Sequence, residues 1–246
     1  MDDRLMTAML EVDEHHWWYR GRRRVVEAEL SRLPLPRQAR ILDAGCGSGR
    51  MLQELVRYGA VSGVELDPRA AEVARARAHG EVRVGSLEQL TWQDHSFELI
   101  TCLDVLEHTP DDKRTLAELR RVSAVGGWLL LTVPAYQGLW SLHDEANHHF
   151  RRYGRRKLRQ TVADAGWRLH RMTSFNTLLL GPAAVVRLAQ RGRHPDDSYR
   201  PELERGPVWL NAVLEWPLRI EARWIAWGRT LPAGLSLMAL LQNPGP

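Results

Sequence analysis

The sequence predicts a doubly wound α/β fold with a mostly parallel seven-stranded sheet, and three observations predict it. Apolar runs of strand length alternate with amphipathic helical stretches from about residue 40 to about residue 174. A glycine-rich turn, Asp43-Ala-Gly45-Cys-Gly47-Ser-Gly49, lies between the first such run and the helix that follows it. Pro68, Gly126-Gly127 and Pro134 punctuate the boundaries of these segments.

ARILDA (39–44) reads as the first strand, and MLQELVRY after the glycines as its helix. AVSGVEL (60–66) is the second strand; Pro68 then stands where a first helical turn tolerates proline, opening RAAEVARARA. VRV (82–84) is a short third strand and FELITCL (97–103) the fourth. DKRTLAELRRV is an amphipathic helix, Gly126-Gly127 marks the turn after it, and WLLLTVP (128–134) is the fifth strand, ended by Pro134. RKLRQTVADAG predicts one more helix and WRLHRMTSF (167–175) a sixth strand. From residue 176 the pattern changes. A Pro, Gly and charge-rich loop (190–207) separates an apolar segment from a helical LNAVLEWPLRIEARWIAW, and LSLMALL (235–241) supplies a seventh strand.

The composition is that of a folded chain: 246 residues, 44% hydrophobic and 26% charged, which disfavours intrinsic disorder. The uncharged stretch 172–186 is too short to span a bilayer and contains Asn176, Gly181 and Pro182. The opening MDDRLMTAMLEVDE has no basic region leading into an apolar one, so the expectation is a cytoplasmic protein without a secretory signal. Cys46 and Cys102 fall in predicted buried segments and are expected as free thiols. A net charge of +4 leans toward anionic partners without naming one.

The glycine turn is where chemistry is expected. Glycines there let the backbone pass close beneath a ligand, and the following helix presents free N–H groups and a positive dipole end. A dinucleotide fingerprint would need glycine or alanine where Arg50 stands, which disfavours a nicotinamide-dependent oxidoreductase. The spacing is instead G-x-G-x-G, with Asp43 two residues before Gly45. Glu65 closes the second strand, where a carboxylate can accept from both hydroxyls of a ribose.

That pattern, together with SFELITCLDVLEHTPDD (96–112) and ELRRVSAVGGWLLLTVP, resembles the class I S-adenosylmethionine (SAM) dependent methyltransferases over residues 14–174. The resemblance implies SAM as cofactor, held by Asp43, Gly45, Cys46, Gly47, Gly49, Glu65, Leu66, Ser86, Leu87, Leu103 and Asp104. Many members carry aspartate where Ser86 stands, so adenine contact would rest more on backbone amides and on Leu87. It also implies one domain: an N-terminal helical lid (1–38), a cofactor-binding core (39–175), a helical insert (176–232) and a closing strand (233–246). A non-catalytic SAM-binding or partner-binding module is the alternative from another class.

Because a sulfonium already activates its methyl group, such an enzyme mainly aligns the acceptor and supplies a base. His108 is one candidate base and His143, oriented by Asp144 or another carboxylate, is a second. LWSLHDEANHHFRRY resembles a block found in a subgroup of these enzymes, which adds His149 and Tyr153 to the catalytic candidates and Arg151 and Arg152 as a phosphate clamp or as pins for the loop. Arg155, Arg156, Lys157 and Arg159 are expected at the surface. HHWWYRGRRR (15–24) resembles the same subgroup, and its Trp17 and Tyr19 are candidate substrate contacts in a lid that shuts out water. Isolated His-His pairs lack metal-ligand spacing, so no metal is expected. The basic clusters are short for nucleic acid, leaving a small or lipid-like acceptor, with a phosphorylated one among the expectations. Trp216, Trp224 and Trp227 with Arg219, Arg223 and Arg229 suit either packing on the core or a membrane surface.

Overall fold

The structure is a computed structural model that describes residues 13–78, 80–189 and 208–245. The predicted loop 190–207 and the first part of the predicted lid, residues 1–12, lie outside the described residues. The chain divides into two compact units. A sheet unit comprises Pro34–Val133, Gly154–Met172 and Met238–Pro246, and a helical unit comprises Met1–Leu33, Pro134–Tyr153 and Thr173–Leu237.

Seven strands form the sheet: β1 (Ala39–Ala44), β2 (Gly59–Glu65), β3 (Glu81–Val84), β4 (Phe97–Leu103), β5 (Ser123–Pro134), β6 (Arg168–Phe175) and β7 (Ser236–Gln242), in the order β3-β2-β1-β4-β5-β7-β6. The pairings from β3 through β5 are parallel. Hydrogen bonds join Asn243 to Gly127 at one end of β7 and Leu235 to Ala135 at the other, so residue numbers fall along β7 as they rise along β5. That strand is therefore antiparallel, the one reversal that "mostly parallel" allows for here.

The strands are buried because they read as nearly unbroken apolar runs; Ile41, Leu42, Leu99, Ile100, Leu129, Leu130 and Leu131 are fully buried. Helices α2 (Arg50–Leu55), α3 (Pro68–Arg77), α4 (Asp112–Val122) and α6 (Arg155–Asp164) belong to the same unit. Asp111 caps α4 by accepting from the N–H groups of Lys113 and Arg114. Leu116, Leu119 and Val122 recur at helical spacing on the buried face of α4, and Trp167 donates from Nε1 to the Leu116 carbonyl. One element differs from expectation. Gly126-Gly127 lies inside the twelve-residue β5, not before it: Phe97 pairs with Ser123 and Leu99 with Trp128, so β5 takes five steps where β4 takes two. Gly126, at φ 78°, supplies the left-handed residue for this bulge.

The helical unit is built around α1 (Trp17–Leu30) packed on α8 (Val208–Ala226). Gly21 permits the approach, because a Cβ there would fall 2.2 Å from Leu218 Cδ1. Glu215 on α8 is buried between Arg20 (Nε 3.0 Å) and Arg24 (Nε 2.8 Å) of α1. Glu221 accepts from the backbone N–H groups of Asn176, Thr177 and Leu178 at 2.6, 2.8 and 3.2 Å, anchoring the turn that leads into α7 (Leu180–Ala189). Trp18 stacks on Phe175 with ring centroids 5.8 Å apart. The apolar segment after residue 176, the start of the expected helical insert, is helical over Leu180–Ala189 as α7.

Candidate functional site

The glycine turn opens α2 at the C-terminal edge of the sheet. Asp43, at the end of β1, is buried and accepts from Thr101 Oγ1 of β4 at 2.6 Å. Gly45, Gly47 and Gly49 all have positive φ, at 76°, 54° and 79°. Two of them also make room. A Cβ on Gly45 would meet Val105 Cγ2 at 2.5 Å, and one on Gly49 would meet the Ala74 Cα of α3 at 2.8 Å. Gly47 has a different role: it is half-buried and donates its N–H to Glu65 Oε2 at 2.9 Å.

Glu65 therefore does more than the sequence suggests. Its Oε1 accepts from the N–H groups of Leu66 (2.8 Å) and Asp67 (3.1 Å) while Oε2 holds the glycine turn. A carboxylate has about four lone pairs, and these three bonds fix it while leaving one acceptor position, on Oε2, for a hydroxyl of a ribose. A half-buried carboxylate fixed beside a glycine turn fits the ribose end of a nucleoside, and SAM carries one.

Along the same edge, Leu66 is exposed beyond β2, and Leu87 is buried next to Ser86, whose hydroxyl accepts from the Glu88 N–H at 3.1 Å. Leu103 is buried at the end of β4, and Asp104 follows it at φ 55° with its N–H bonded to the Thr132 carbonyl. His108 ends a short 3-10 turn and is half-buried. Cys46 and Cys102 are buried free thiols, and burial pushes both well above the usual thiol range, so neither is a thiolate nucleophile.

In the helical unit two of the remaining candidates, His149 and Arg152, converge on Asp144. It lies in the short helix α5 (Leu142–Ala146), which no apolar periodicity announced, and a capping box with Ser141 starts that helix. Asp144 Oδ2 accepts from Ser141 N and Oγ, while Oδ1 accepts from Arg152 Nε at 2.6 Å and pairs with His149 Nδ1 at 2.9 Å. Burial alone pushes this carboxyl up; the hydrogen bond from His149 and the charge of Arg152 overcome that and hold it well below the ordinary carboxylate range.

The predicted pairing of His143 with Asp144 is corrected here, since Asp144 pairs with His149. Successive side chains on a helix diverge by about 100°, whereas the turn after α5, with His148 at φ 54°, brings His149 back onto Asp144. His143 instead contacts Asn147 Nδ2, and its ring lies 6.2 Å from that of His149.

Arg152 is buried, and it also donates from Nη1 to the Ala135 carbonyl while its N–H bonds Gln137 Oε1. Tyr153 is fully buried, with its backbone bridging to Pro134 and Tyr136. Arg151 is half-buried, 5.6 Å from the Phe150 ring. Arg156, Lys157 and Arg159 are exposed as expected, but Arg155 reaches the Met172 carbonyl. On α1, the Trp17 N–H donates to Asn211 Oδ1 and Tyr19 stands 5.5 Å from the Arg22 guanidinium. Ser141, Gln137 and Asn147 were not singled out from the sequence; the Ser-x-x-Asp spacing of the capping box was the available signal for the first.

Residues 42–131 match the model of a methyltransferase domain. A ubiquinone biosynthesis O-methyltransferase of Xanthomonas oryzae pv. oryzae is 38% identical over 103 residues, covering 38% of this chain and 42% of that protein. Its counterpart in Thiobacillus denitrificans is 31% identical over 100 residues, covering 38% and 43%. The chain thus spans less than half the length of the curated relatives it matches. A chain in the complex of the Haloferax volcanii Trm112 methyltransferase activator superposes with a TM-score of 0.65 at 19% identity, over 99% of this chain and 96% of that one, which shows the shared fold. The strand order, the glycine turn and this match agree, so residues 42–131 of this chain are similar to a methyltransferase domain and the sheet has the fold of such domains.

Proposed function

We propose that this protein transfers a methyl group from SAM to a hydroxyl oxygen of a small or lipid-like acceptor, working on the cytoplasmic side and in peripheral contact with a membrane. The observation that carries the cofactor reading is the Glu65 carboxylate tied to the Gly47 N–H at the edge of the sheet. The names of the relatives support an oxygen acceptor and a lipid-like product. When bound, SAM supplies an electrophilic methyl group whose departure leaves a neutral thioether. Glu65 would hold a ribose hydroxyl through the acceptor position left on Oε2, the glycine turn would admit the cofactor, and Leu87 would offer the adenine an apolar contact.

His149 is the general base in this reading. Asp144 accepts at Nδ1 and so fixes the tautomer with its lone pair on Nε2, where the acceptor's hydroxyl proton goes as its oxygen attacks the methyl carbon. Arg152 pins the loop through Asp144, so a phosphate on the acceptor is left to Arg151 alone. Trp17 and Tyr19 are the acceptor contacts in this reading, and the proton is assigned to none of His108, His143 and Tyr153.

Calorimetric titration tests the cofactor. SAM is expected to bind and NAD is not; a folded protein that takes up no SAM would overturn the reading. Glu65→Ala is expected to weaken SAM by about 1.5–3 kcal/mol, the range for a charge-assisted hydrogen bond. Phenols with and without an alkyl chain then test the acceptor, with S-adenosylhomocysteine release as readout. On the better of them, His149→Ala should slow turnover by about 10²–10⁴-fold while SAM affinity holds. Wild-type turnover in that variant would move the base elsewhere, to His108 first.

A further inference from the structure

The helical unit leaves one broad apolar surface in solvent. On α8 the residues Trp209, Val213, Trp216, Ile220, Trp224 and Trp227 recur every three or four positions, the period of a single helix face extended one residue past its end. That face points outward: Trp209 is 66% exposed, Trp216 60% and Trp227 67%. The opposite face, with Glu215, Leu218, Ala222 and Ile225, is buried. The usual explanation of an apolar helix face, that it packs on the core, therefore applies to the other side of this helix.

Charge is sorted as strictly as hydrophobicity. Both acidic residues described on α8, Glu215 and Glu221, are buried and bonded, to Arg20 and Arg24 and to three backbone N–H groups respectively. The charged residues exposed on the described helix are Arg219 and Arg223, along one edge of the tryptophan stripe. Just beyond the helix, Arg229 stands 4.6 Å from the Trp224 ring. No helix among the described residues is long and apolar enough to cross a membrane.

We infer that the outward face of α8 docks on an anionic lipid surface, with the indoles at headgroup depth and the arginines against lipid phosphates. Tryptophan and arginine are the side chains that combine apolar bulk or stem with a polar tip, which suits the boundary between acyl chains and water. A stripe with cations and no exposed anion complements a negative leaflet. A second copy of this chain is a poorer occupant: antiparallel pairing of two such faces would set one arginine row beside the other. The inference gives a face and a lipid charge to the membrane contact in the proposed function, and it is independent of the methyl-transfer chemistry.

The test is flotation of the full chain with vesicles, in the absence of SAM and acceptor. Binding is expected to vesicles of phosphatidylcholine with about one third phosphatidylglycerol and to fall at least about tenfold on pure phosphatidylcholine or in high salt. Trp209→Ser with Trp216→Ser, and separately Arg219→Gln with Arg223→Glu, should each reduce binding about tenfold or more, with circular dichroism, melting temperature and SAM affinity unchanged. No flotation of the wild type, equal flotation on neutral vesicles, or flotation indifferent to both double variants would overturn the inference. So would a dimer by light scattering that the tryptophan variant converts to a monomer while vesicle binding is absent. Because SAM affinity is measured on the same variants, failure of the docking surface and failure of the cofactor reading are told apart.

Discussion

Asp144→Ala is expected to lower folding stability by about 3–5 kcal/mol, the cost of breaking a buried ion pair and leaving one charge behind. The side chains of Asp144 and Arg152 are 0% and 2% exposed, so water cannot take over the role of the missing carboxylate. The loss removes the acceptor for Arg152 Nε, for His149 Nδ1 and for the Ser141 end of the capping box together. Urea unfolding of wild type and variant checks it; a loss under about 1 kcal/mol, the value of a solvated pair, would show that the loop is not held this way. Arg152→Lys should lower the melting temperature as well, because an ammonium cannot reach both Asp144 and the Ala135 carbonyl in the fork geometry of a guanidinium. The pH dependence has a definite sign. The Asp144 carboxyl titrates lower in the folded chain than in the unfolded one, so its contribution is complete above about pH 4 and is lost as the pH falls through the folded value. Asp144→Asn should flatten that acid limb.

Where local pattern and tertiary role coincide, the fold was legible. β1, β4 and α4 are read directly, because strand length, unbroken apolar runs and a 3.6-residue stripe leave one way to bury them. Pro68 and Gly49 mark true boundaries for the same reason, each meeting a backbone need that few residues satisfy. Legibility ended where a contact depends on chain reversal. His143 and His149 are equally good partners for Asp144 on paper, and the choice is made by helix phase and by the positive φ of His148, neither of which a residue pattern encodes. The bulge in β5 is similar: two glycines signal a turn, and only pairing with β4 shows that the strand continues through it. The tryptophans of α8 mark the sharpest limit. Apolar residues lie on both faces of that helix, and periodicity cannot say which face meets α1; burial of Glu215 and Glu221 against the α1 arginines and the α7 turn decides it.

Gly47→Arg is expected to abolish SAM binding, by about a hundredfold or more, in a protein that still folds. Three properties of the position lead there. Gly47 has φ 54°, which costs a residue with a side chain about 1–2 kcal/mol, a strain that a domain of this size survives. It is half-buried, so the arginine has a way out of the protein without displacing core side chains as it would at Gly45 or Gly49. Its N–H holds Glu65, so a shift of the turn moves the carboxylate proposed to bind the ribose, while the new side chain occupies the space above the turn. Loss of both effects at once exceeds the loss from Glu65→Ala, where the turn remains open. Calorimetry on the two variants, with melting curves beside it, orders them: Gly47→Arg weaker than Glu65→Ala, and Glu65→Ala weaker than wild type. A folded Gly47→Arg protein with wild-type SAM affinity would place the cofactor away from this turn, and the assignment of Glu65 would fall with it.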